Sequence, residues 1–188
     1  MREAIGGAWL MGVVVFFIVL FSSYLALSVN HSRAFNVKNA IVEIIERHGG
    51  YTACARNEIC CYLRSVGYAT GGHCNIDRGA GDYGGDWEPG SIEFGGTARR
   101  PAYCIRRHDM NPADIFIEHR QAYFSIAVFF RVDLPIFHNL FTFPIFGETM
   151  TINHPRDRDW PHHGRCPELP AHLHHIPGCG PGVQMGCN

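Results

Sequence analysis

No residue between Ala4 and Asn30 carries a formal charge, and most of that stretch is strongly apolar. A segment of this kind has no polar face to offer water, which excludes an ordinary amphipathic surface helix. The run Ala8 to Val29, centred on Val13-Val14-Val15-Phe16-Phe17-Ile18-Val19-Leu20-Phe21, is long enough to cross a hydrocarbon core of about 30 Å. Lysine is nearly missing, Lys38 being the only one, and no basic block occurs in a chain of formal net charge −1. The electrostatic footprint of nucleic-acid binding is therefore absent. Neither G-x-S-x-G nor H-E-x-x-H occurs, and no glycine cluster ends in G-K-[ST] or opens a helix. Asp82, Asp86 and Glu88 have no partner that spacing places beside them, and the adjacent pairs His108-Asp109 and Glu118-His119 do not make dyads by adjacency. The chain is not read as an enzyme.

What is present after the apolar run keeps the helical period. Ala34, Val37, Ile41 and Ile44/Ile45 recur on one face, while Arg33, Lys38, Asn39, Glu43 and Glu46 fill the others, and Gly49-Gly50 supplies a stop. This predicts one helix from about Ala4 to His48, about 68 Å long at 1.5 Å per residue, half in lipid and half outside. A cleaved secretory signal is the competing reading, with Ala26-Leu27-Ser28 as a small-x-small site. Against it, the apolar run is longer than a usual signal core and the segment before it is only Met1-Arg2-Glu3.

Cysteine is plentiful beyond the helix, with eight residues at positions 54, 60, 61, 74, 104, 166, 179 and 187. Such a load suits an exported domain. Eight thiols allow about 105 full pairings, so connectivity is not legible. The pair favoured here is Cys74 with Cys104, because they flank a glycine-rich segment with little else to order it. Arg33, Lys38 and Arg47 after the span point the other way, towards a cytoplasmic domain. The charge difference is small, and the cysteines decide for an extracytoplasmic one.

The expected fold class is α+β. A transmembrane and amphipathic helix (1–49) leads into a small domain (50–152) in which Asn57 to Val66 forms a short helix stopped by Gly67. Residues 67–100 read as one long glycine-rich loop. Tyr103 to Arg107 is a short strand, and Gln121 to Val132 a longer one whose face Ala122, Phe124, Ile126, Val128, Phe130 and Val132 must be buried. Another runs from Thr142 to Ile152, with Pro144 and Gly147 marking an edge or a bulge. The strands make a small antiparallel sheet packed on a helix.

From 153 to 188 the chain turns rich in proline, histidine and cysteine and loses apolar periodicity, which predicts a disordered tail. His162, His163, Cys166, His172, His174 and His175 are ligand types that zinc and copper prefer, although no C-x-x-C or H-x-x-x-H occurs. No cofactor is otherwise implied.

An apolar helix continuing as an amphipathic one, a small strand-rich domain, and the segments Tyr123 to Phe130 and Phe143 to Thr149 around Leu134-Pro135 together resemble pilin-like proteins of bacterial secretion systems, especially TadE-like pseudopilins. The resemblance covers about residues 1–152. It implies a single-pass structural component of a pilus-like or secretion apparatus in a bacterial membrane, with other such subunits as partners. The prepilin signature is not spelled out: Gly6 and Gly7 precede Ala8, but Met11 or Gly12 stands where a glutamate would. Gly6, Gly7, Ala8 and Gly12 offer a small-residue surface for helix packing in lipid. The alternative function is a membrane-tethered metal-binding or sensing protein that uses the His/Cys tail.

Overall fold

A computed structural model describes residues 2–68, 72–74, 87–90, 101–110, 121–132, 141–153, 170–175 and 179. One helix, α1 (Arg2–His48), runs unbroken through the apolar and amphipathic segments. Its first part is long and apolar enough to cross a membrane, and none of that window is buried within the protein. Its last part is the spine of the domain. Ala34, Val37, Ile41, Ile44 and Ile45 are buried, as their spacing predicts. The Gly50 N–H reaches back to the Ile45 carbonyl at 3.0 Å, closing the helix over Gly49 at φ 65°.

The second helix, α2 (Ala53–Val66), begins a turn earlier than periodicity alone indicates. Thr52 is the reason: its Oγ1 accepts from the Ala55 N–H at 3.2 Å, satisfying one of the free donors of the first turn. Gly67 ends the helix in the left-handed region, and the Tyr68 N–H returns to the Leu63 carbonyl at 2.9 Å.

The strands β1 (Glu88–Gly90), β2 (Tyr103–Asp109), β3 (Gln121–Val132) and β4 (Phe141–Glu148) form an antiparallel sheet in that order, and β5 (Ile152–Asn153) also pairs with β3. The segment expected to be loop throughout, 67–100, thus contributes an edge strand. Glu88, Pro89 and Gly90 lie opposite Ile105, Cys104 and Tyr103, a pairing made through β2 rather than through any local pattern. A Cβ at Gly90 would run into the Tyr103 ring, so only glycine fits there.

The strand expected over Thr142 to Ile152 is two strands. Thr149 makes the break: the Phe124 N–H donates to its Oγ1 and its own N–H donates to the Phe124 carbonyl, each at 2.9 Å. The next N–H, of Met150, turns to the Glu46 carboxylate on α1 at 2.7 Å. A helix side chain has drawn the backbone out of the ladder.

Against α1 lie Phe124, Ile126 and Val128 of β3 with Tyr103 and Ile105 of β2, joined by Ile59 and Leu63 of α2. The central strand is covered on its other face as well: Cys104, Ala127 and Phe129 pack with Cys74 and Trp87. Ser125, Ala127 and Phe129, on the face that alternation alone does not require to be buried, are therefore buried too. In the tail, Ala171–Leu173 makes a 3-10 turn whose Leu173 is buried with Cys61 and Cys179. Where described, the 153–188 tail is therefore held on α2, because a disulfide and one leucine supply the anchoring that periodicity lacks.

Candidate functional site

The lower half of α1 presents an unbroken apolar surface, with Trp9, Leu10, Val14, Phe16, Phe17, Ile18, Leu20 and Phe21 all exposed. The hydroxyls of Ser22 and Ser23 do not interrupt it, since they donate to the carbonyls of Ile18 and Val19 one turn back, at 2.7 and 2.8 Å. Gly7 and Gly12 are open on this surface, with nothing within 4 Å of a Cβ built on either. Ala8 and Gly12 stand one turn apart along the helix.

The domain grips the upper part of α1 at four points. His31 meets the Phe130 ring edge to face, with centroids 5.6 Å apart. The Lys38 side chain lies over Gly147, and Glu46 accepts from Met150. At the top, His48 Nε2 and Glu58 Oε2 are 2.7 Å apart, and Arg47 contacts the other oxygen of the same carboxylate. Burial works to raise the Glu58 pKa, but the hydrogen bond with His48 and the Arg47 charge outweigh it and hold the group below its ordinary range. The pair clamps the corner between α1 and α2.

A second polar group lies on the sheet face turned away from α1. His108 Nε2 and Ser125 Oγ are 3.0 Å apart across β2 and β3, and Ser125 Oγ donates to Glu148 Oε1 on β4 at 3.4 Å. His108 stacks on Tyr123 at 4.5 Å, and Arg106, also buried, is the register partner of Ser125. The Ser125 hydroxyl thus lies between an imidazole and a carboxylate on the two neighbouring strands. Ser125 and His108 are both buried, so the chain of bonds reads as a cross-strand brace. Asp109 does not join it but pairs with Arg107 at 2.7 Å. Spacing could not reveal this group, because only the register of three strands brings its members together. Asp82, Asp86, Glu118 and His119 lie outside the described residues.

Cys74 and Cys104 are joined by a disulfide with Cα atoms 5.5 Å apart. Cys61 and Cys179 form another over a separation of 118 residues. That bond removes Cys179 from any set of metal-binding thiolates. Of the residues with ligand chemistry in the tail, His172, His174 and His175 are exposed, while His162, His163 and Cys166 lie outside the described residues. Among the described residues no three His, Cys, Asp or Glu side chains converge on one point. Compared with known proteins, the chain matches no family model, no curated protein and no solved structure.

Proposed function

We propose that the protein is a single-pass membrane protein of bacteria whose exported domain serves as a structural subunit of a pilus-like or secretion apparatus. The observation that carries this reading is the division of labour along α1. One unbroken helix is bare and apolar below and serves as the core of a disulfide-bonded domain above. A helix of that kind transmits position from the membrane to the domain without a hinge, which is what a packed assembly of repeated subunits requires. Two disulfides with both partners described support an oxidising location for the domain. The buried brace at His108, Ser125 and Glu148 gives no reason to add catalysis. In lipid, helices associate through close approach at small residues, and Ala8 with Gly12 is the place on α1 where that is available.

The test is photo-crosslinking from a benzophenone amino acid at Gly12 in native membranes. Adducts at the mass of two or more copies, or with a fixed second membrane protein, are expected. Recovery of monomer alone overturns the subunit reading.

A further inference from the structure

The contacts along α1 also set the height of the sheet above the membrane. From His31 to Lys38 the helix rises about 10 Å at 1.5 Å per residue. From Phe143, which stacks on Phe130 at 5.5 Å, to Gly147 beside Lys38, β4 rises about 13 Å at 3.3 Å per residue. The two rises are similar, so β3 and β4 run roughly along α1, with the Val132 and Phe141 end pointing back to the membrane. Those two residues are register partners two positions beyond Phe130. Two strand residues span about 6–7 Å, or some four residues of helix. Val132 and Phe141 therefore lie near the level of Leu27, inside the uncharged stretch Ala4 to Asn30.

Charge and exposure agree with that level. Phe130 stands beside His31 and Phe143 stacks on Phe130, at the boundary where the first charge after the span, Arg33, follows. Phe143 is 46% exposed although it belongs to an aromatic stack. Aromatic side chains collect at this depth of membrane proteins, where apolar rings border the headgroups.

We infer that the Phe130 and Phe143 end of the sheet is seated in the lipid headgroup layer of the bilayer that α1 crosses, so the domain rests on the membrane surface rather than standing off on a stalk. The occupant of this exposed aromatic edge is lipid. The inference rests on reading α1 as a membrane span, and not on the proposed apparatus.

The test places a benzophenone amino acid at Phe16, Thr142, Phe143 or Met150 of the full chain in phosphatidylcholine vesicles containing an alkyne-tagged phospholipid. Phe16 reports the span. Met150, 74% exposed and seven residues along the chain from Phe143, reports the far end of the domain. Lipid adducts are expected at Phe16 and Phe143 and, at the same height as Phe143, at the exposed Thr142. Met150 is expected to give a tenth of the Phe143 yield or less. Labelling at Phe16 with Phe143 and Thr142 no higher than Met150 overturns the docking and leaves the span intact. No labelling at Phe16 overturns both. Adducts from Phe143 to a second protein copy in place of lipid also overturn it.

Discussion

Glu58 on α2 and His48 at the end of α1 meet with 2.7 Å between carboxylate oxygen and ring nitrogen, and both side chains are buried. Arg47 completes the contact from the solvent side, being half-exposed. The corner between the two helices is thus held by polar contacts to one buried carboxylate, the Arg47 charge among them. Because Glu58 titrates lower in the folded chain than its ordinary value of 4.5, its contribution is complete above that value. It is lost as pH falls through the lower, folded value. Replacing Glu58 with Gln should cost roughly 2–3 kcal/mol at neutral pH, since it leaves His48 buried beside an uncharged partner. Denaturant titrations at several pH values should show the acid limb of the wild type shrink in the variant. An unchanged limb would remove Glu58 from the explanation.

Gly90 should not tolerate alanine. Its missing side chain is filled by the ring of Tyr103, which is buried and whose hydroxyl lies 2.9 Å from that of Tyr51. Burial, reinforced by Tyr51, pushes the Tyr103 pKa well above the ordinary phenol value, so its hydroxyl stays neutral. Overpacking of this kind costs about 1–3 kcal/mol. A Gly90→Ala melting temperature equal to wild type would show that β1 can detach from β2 at no cost.

Cys54 and Cys60 are also disulfide-bonded, and no described cysteine is free. Six residues apart on α2, they are separated by about 9 Å along the axis, beyond the reach of a bond to each other. Peptide mapping of the unreduced protein should therefore recover Cys54 and Cys60 in separate cross-links, neither one free. A Cys54–Cys60 linkage, or either one alkylated without reduction, would refute the assignment.

Ser125→Ala removes the middle of the brace between His108 and Glu148. A loss of about 1–2 kcal/mol is expected, the scale for stranding a buried hydrogen-bonding group. The Ser125→Thr variant keeps the hydroxyl and should recover part of it. Equal stability of all three forms in chemical denaturation would mean that the brace contributes nothing.

The elements most legible in the sequence are those whose burial follows a local period. The stripe Ala34, Val37, Ile41 and Ile45 needs only the 3.6-residue repeat to be read, and the Gln121 to Val132 strand needs only alternation. What escaped was set by contacts between distant residues. β1 is a strand because β2 lies beside it, and the chain leaves β3 at Thr149 because Glu46 on α1 takes the next N–H. The His108, Ser125 and Glu148 group was hidden for the same reason, since register is a property of pairs of strands.

By itself the sequence determined the length and apolarity of α1, the face it buries, its glycine stop and the central strand, because each depends on neighbours within a few turns. The tertiary structure alone decided the height at which the sheet grips the helix. It also decided the cross-strand polar brace and the fastening of Cys179 to α2. Those follow from which distant surfaces meet, and no local pattern of side chains encodes that meeting.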